Sequence, residues 1–204
     1  MSSTVNARIP LSLLEAIRRM DTPQDQSETE YVAELRNKRF GLSETVYTQI
    51  RRYSDALKRG QRIPFAEAEG LGTLIGRRPD AEDLFRSAGQ LFAQDVYESI
   101  GAGTRAIIST LPRFLSRPLA YRQLTKGVEK KFEGSVERLG HSVTLTIPDS
   151  VTVNGSPDSR GCVFYGAAFA ELLHLLGGGI GHVDHTHCEQ RGDTACEWRA
   201  EWRA

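Results

Sequence analysis

All three cysteines and four of the five histidines of this 204-residue chain fall within one stretch, as Cys162, His174, His182, His185, His187, Cys188 and Cys196. Thiolates and imidazoles are the soft and borderline donors that zinc prefers, and four of them closed around one ion stabilise a fold without doing chemistry. Such a cluster constrains folding strongly, because it requires residues far apart in sequence to meet at a point. Cys188 and Cys196 flank residues 189–194, a turn-forming run that makes a hairpin and brings the two sulfurs toward each other. The same residues also admit a plainer arrangement. Cys162 then packs in the core, as free cysteines commonly do, and the histidines dot a surface strand.

Thiols serve as metal ligands where they stay reduced, and the opening MSSTVNARIP has no apolar run of the kind that directs secretion, so a cytoplasmic protein is expected. The apolar stretches 161–170 and 172–183 are each too short to span a bilayer and are separated by Glu171, so no membrane span is expected. With 26 Lys and Arg against 26 Asp and Glu, the chain also lacks the cationic excess of a protein devoted to gripping nucleic acid or an anionic membrane; only a local basic patch is compatible with it.

The pattern of the chain divides it in two. Residues 1–78 are polar and helix-patterned and form a helical N-terminal extension, with a loop at residues 21–27 and a helix from Ser43 whose stripe is Val46, Ile50, Tyr53 and Leu57. Residues 79–204 form an α+β domain. Asp80 is placed to N-cap a long helix carrying Leu84, Phe85, Ala88, Leu91, Phe92 and Val96. A shorter helix runs through Ile107, Ile108 and Leu111 until Pro112, and a third carries Tyr121, Leu124 and Val128 with the lysines of 126–131 on its solvated side. From Phe132 the period becomes two. Val143, Leu145 and Ile147 alternate with polar residues, and Pro148 ends that strand. Residues 162–176 then read as a central buried helix, with Tyr165, Phe169, Leu172, Leu173 and Leu176 on one face and small residues elsewhere. Two final strands follow, 180–188 and 195 to the end, the second with Cys196, Trp198, Ala200 and Trp202 on one side. The expectation is an α+β fold in which an antiparallel sheet packs against helices.

The intervals between the cysteines carry a resemblance. Cys162, twenty-two residues, His185, two residues, Cys188, seven residues and Cys196 resemble the zinc signature of the 4-vinyl reductase domain, found also in the aromatic-sensing domains of phenol- and xylene-responsive bacterial activators. That family shares its superfamily with small subunits of the TRAPP vesicle-tethering complex. The closing HCEQRGDTACEWRAEW is similar to the family's last hairpin, and the segment around Leu84 to Phe92 to its first long helix. The resemblance implies that Cys162, His185, Cys188 and Cys196 hold a structural Zn²⁺. It departs at His185, where the family has Glu; histidine is an acceptable zinc ligand. In a regular strand 185 and 188 face opposite ways, so both reach one ion only if the strand ends or bulges between them, and a different register would bring in His187 or Asp184 instead. Arg191 in the turn is a candidate to offset the site's net negative charge.

A closed four-ligand zinc activates no water, so the expected protein is not an enzyme. No Ser–His–Asp order, paired carboxylates or P-loop stands out. His182 and Asp184 lack a nucleophile, residues 177–181 follow a helix rather than precede one, and Arg191-Gly-Asp193 is a turn. What the resemblance implies instead is a dimeric, small-molecule-binding or sensory domain whose ligand is a hydrophobic aromatic or tetrapyrrole-like compound. Phe164, Tyr165, Phe169 and Trp198 are the candidate walls of its pocket, with Trp202 a further aromatic, and plain core is the simpler place for each. The chain ends close after its last strand, so output is expected to pass to a separate protein partner or through the N-terminal helices. Two other functions remain open: a TRAPP-type dimeric scaffold, and an accessory factor in tetrapyrrole metabolism.

Overall fold

The computed structural model describes residues 4–22, 40–153, 160–177 and 179–203. A short strand β1 (Thr4–Asn6) leads into α1 (Arg8–Asp21). Then come α2 (Glu44–Lys58), β2 (Arg62–Pro64), α3 (Phe65–Gly76), α4 (Ala81–Glu98), α5 (Ala102–Thr110) and α6 (Arg113–Gly127), which continues into a π-helical turn at Val128–Phe132. β3 (Ser135–Leu139), β4 (Ser142–Ile147), α7 (Val163–Leu175), β5 (Gly179–His187) and β6 (Cys196–Arg203) complete the described elements. β1 and β2 pair as a small antiparallel ribbon, and the other four strands form an antiparallel sheet in the order β3-β4-β6-β5. The α+β arrangement is the one expected from the sequence. Among the described residues, no helix is long and apolar enough to cross a membrane.

The period-two patterns set which face of the sheet is buried. Val143, Leu145 and Ile147 from β4 and Cys196, Trp198, Ala200 and Trp202 from β6 all point inward and are buried. α7 lies against that face. It is apolar nearly all round because it is covered on two sides: Tyr165 meets Trp198 of the sheet at 5.8 Å between ring centroids, and Phe164 meets Phe92 of α4 at 5.6 Å. The small residues of α4 and α7 let α7 close up against both α4 and the sheet. A Cβ at Gly89 would strike the carbonyl oxygen of Phe164, and one at Gly166 would come within 3.0 Å of the Trp198 indole nitrogen. α4 in turn packs on α1 and α1 on α2, so a single apolar cluster runs from Val5 to Trp202.

α2 begins as expected. The Ser43 hydroxyl accepts from the Val46 N–H at 3.4 Å, and Val46, Ile50 and Tyr53 are buried with Leu57 beside them. Asp80 behaves otherwise. It occupies the N-cap position of α4 without capping it, because its carboxylate is taken by Arg78 at 2.8 Å. Arg78 also grips the buried carboxylate of Asp21 at the end of α1, at 2.8 Å, so one guanidinium ties two helix ends together. Asp21 is thus the last residue of a helix; of the expected loop at 21–27, residues 23–27 lie outside the described residues. Glu133, at the end of the π turn, fastens the β1–β2 ribbon by accepting from the Asn6 N–H at 2.7 Å and pairing with Arg62 at 2.8 Å.

Candidate metal centre

Each of the four expected ligands is held by a different piece of backbone. Cys162 closes a 3-10 turn (Arg160–Cys162) and sits at the N-cap of α7. Its depth is fixed by Gly161, whose carbonyl accepts from the Thr152 hydroxyl at 2.7 Å. A Cβ on residue 161 would collide with the Thr152 carbonyl, so only glycine lets the chain pass this close.

The hairpin supplies the other three. His185 stands opposite Trp198 and stacks on its indole with centroids 4.9 Å apart and planes 12° from parallel. The pairing then shifts: His185 faces Trp198 but His187 faces Glu197, so two steps along β5 match one along β6. This bulge reverses the alternation. His187 turns outward to its partner Glu197, at 2.9 Å, and Cys188, the first residue after the strand, turns back inward beside His185. The conflict between positions 185 and 188 is resolved by one extra residue. Beyond it the chain reverses tightly. Arg191 and Asp193 donate backbone N–H groups to the Cys188 carbonyl at 2.8 and 3.2 Å, the Asp193 carboxylate accepts from the Cys188 N–H at 2.7 Å, and Gly192 adopts φ 95°. Arg191-Gly-Asp193 is therefore a turn that aims Cys188, and Cys196 follows as the first residue of β6.

As a result the ligand atoms of Cys162, His185, Cys188 and Cys196 lie within 4.8 Å of one another, and the Cys162 and Cys188 sulfurs are 3.7 Å apart. A disulfide requires about 2.05 Å, and none of the three buried cysteines forms one. The cluster is electrostatically strained. Hydrogen bonding to Cys196, together with burial, pushes the Cys162 thiol up. Cys196 is held well below the ordinary thiol range by the hydrogen bond from Cys162, against the effect of burial, with His185 and the Glu189 N–H at 3.4 Å adding to it. Burial and the charge on Cys196 push the nearby Glu189 carboxyl up to about 7, although it accepts from the Ser150 N–H at 3.2 Å. Nε2 of His185 is buried with no hydrogen-bonding partner, a state that costs about 1–3 kcal/mol when nothing compensates it. Three crowded sulfurs and an unsatisfied ring nitrogen fit a cation, and these four residues can hold a metal ion.

The alternatives to His185 lie elsewhere. His187 is turned to the outer face, while Asp184 pairs with His182 at 3.4 Å on side chains 65% and 86% exposed. His174 is exposed at the end of α7 and Arg191 at the tip of the hairpin. Of the four aromatic residues expected to wall a pocket, Phe164, Tyr165 and Phe169 are wholly buried. Phe164 faces α4, where its ring meets Phe92. Trp198, also buried, borders a hollow of about 340 Å³ between α7 and β5 that is further lined by Val163, Ala167, Val183, His185 and Arg86. The supporting residues Thr152, Ser150 and Glu189 escape a sequence reading. Only the Gly-Asp pair after Cys188 signals that a tight turn positions a ligand. Neither a protein-family model nor a curated protein sequence matches this chain.

Proposed function

We propose that this chain is a zinc-stabilised, non-enzymatic domain of the 4-vinyl reductase type, which binds a small aromatic molecule and acts through a separate protein partner. The observation that supports it most is the convergence of Cys162, His185, Cys188 and Cys196 from the start of α7, the end of β5 and the start of β6, at the intervals the resemblance implies. For tetrahedral zinc with Zn–S arms of about 2.3 Å, neighbouring sulfurs stand about 3.8 Å apart; the Cys162 and Cys188 sulfurs stand at 3.7 Å. Three thiolates and one imidazole fill four positions and leave none for a reacting water, so the metal's work is to join the start of α7 to the β5–β6 hairpin.

The ligand reading draws on the hollow beside the metal centre. At about 340 Å³ it falls at the lower end of the range for ligand pockets, about 300–1,000 Å³. That volume, with Trp198 on one side and Val163, Ala167 and Val183 around it, suits a one- or two-ring aromatic compound better than a tetrapyrrole. A second reading, a dimeric scaffold of the TRAPP-subunit type, draws on Phe164, Tyr165 and Phe169, which fill the interior with their own rings.

Native mass spectrometry of the cytoplasmically expressed protein, with thermal melts in added phenols and porphyrins, tests both. One zinc per chain and a melting temperature raised by phenols support the sensor. One zinc with no response to either class supports the scaffold, and a chain without stoichiometric metal overturns the whole reading.

A further inference from the structure

From Ser99 to Val128 the sequence contains no Asp or Glu but five cations, Arg105, Arg113, Arg117, Arg122 and Lys126. In a chain of zero net charge this is a local excess, and it coincides with a weakly anchored part of the fold. α5 buries one side chain, Ile108. At the corner where α5 turns into α6, Ile107, Leu111, Phe114 and Leu115 are 47%, 41%, 74% and 54% exposed. Scattered single apolar residues on a surface need no explanation; four large ones within nine residues do.

The cations continue the same surface. Leu115, Arg122 and Lys126 recur at seven and four residues along α6 and are all exposed, so the apolar corner runs into a basic stripe. At the other end of α5, Lys126, Lys130 and Lys131 line a hollow of about 290 Å³ with Ser99, Gly101 and Thr104. Among the described residues, none of these three lysines has an ion-pair partner. Burial holds the Lys131 ammonium below its usual range, and the neighbouring Arg8 and Lys130 add to the effect. The N-terminal end of the α5 dipole adds further positive potential there.

We infer that this face docks onto an anionic lipid bilayer, with the α5–α6 corner entering the interface and the α6 stripe and lysine hollow meeting headgroup phosphates. Exposed Phe and Leu beside Lys and Arg are the composition that binds such surfaces. Charge complementarity disfavours a second copy of the chain, because a two-fold contact would set this basic face against itself. Four large apolar side chains exposed at one corner, beside exposed cations, suit a yielding apolar interface edged by anionic headgroups, and an acidic protein is the alternative that the test below separates.

Flotation of the full chain with vesicles of phosphatidylcholine alone, or mixed with phosphatidylserine, tests this. The protein should float with the mixed vesicles only, and less as salt rises. Phe114→Ser should weaken partitioning at least about tenfold, and Arg122→Gln with Lys126→Gln about fivefold per cation removed. Each variant should retain the wild-type melting temperature, since all three side chains are exposed. Absence of flotation, equal flotation with both vesicle types, or salt-insensitive binding overturns the inference. Binding to an acidic polypeptide without vesicle binding overturns it in favour of a protein partner, and self-association abolished by Phe114→Ser does so in favour of a dimer face.

Discussion

Replacing His185 separates the two roles of its ring. One is the stack on Trp198, at 4.9 Å and 12°, a contact of about 0.5–1.5 kcal/mol. The other is one of the four donor positions of the cluster. His185→Ala removes both. If loss of a ligand weakens metal binding about a hundredfold, the metal's contribution to stability falls by about 2.7 kcal/mol when free metal exceeds both dissociation constants. The combined loss of about 3–4 kcal/mol corresponds to a melting temperature lower by about 6–16 °C for a domain of this size. His185→Glu keeps a donor atom, of the type the family resemblance places at this position, and gives up only the stack; it should retain one metal per chain and lose about 0.5–1.5 kcal/mol. Under a strong chelator the metal difference vanishes, and both variants should fall below wild type by the stack alone. Calorimetric melting with and without chelator, paired with metal analysis, reads all of these. An Ala variant that keeps full metal and melts like wild type, or a wild-type protein indifferent to chelation, refutes the assignment of His185.

Two further perturbations probe how the helices are held. Hydrogen bonding from Arg78 holds the Asp80 carboxyl below its ordinary range. Its contribution is therefore complete above the ordinary carboxylate pKa of about 3.9 and lost as pH falls through the depressed folded value. Asp80→Asn should cost about 0.2–1 kcal/mol at neutral pH, given the partial exposure of the pair. Below pH 4 its stability in urea titrations should decline less steeply than that of wild type; parallel curves would contradict the role given to Arg78. Gly89→Ala forces a methyl group against the Phe164 carbonyl at the α4–α7 crossing and should cost about 1–3 kcal/mol in urea unfolding. A neutral result there would mean that the two helices do not approach as closely as described.

The sheet was legible in the sequence because each inward residue of β4 and β6 is apolar and each outward one polar, a pattern no helix produces. α7 was legible as central because it lacks a polar face. The β1–β2 ribbon was not, since three-residue strands are too short to show a period, and β3 buries only Val136. α3 was obscured by Gly70, Gly72 and Gly76, which oppose helix formation locally and are overruled by packing. Asp80 illustrates a limit of capping rules: a residue of the right type was claimed by a nearer cation. At the metal centre the donor types and intervals were readable, and so was the need for the strand to end or bulge between 185 and 188. The location of the bulge was not, because a register shift is fixed by what lies opposite, here Trp198 and Glu197, rather than by the strand itself.

X-ray absorption at the zinc edge of the purified, unsupplemented protein tests the central claim most directly. One zinc per chain is expected, with a four-coordinate shell of three sulfurs at about 2.3 Å and one nitrogen at about 2.0–2.1 Å, and the loss of one sulfur in Cys196→Ser. A shell dominated by oxygen and nitrogen, or a spectrum unchanged by Cys196→Ser, would contradict it.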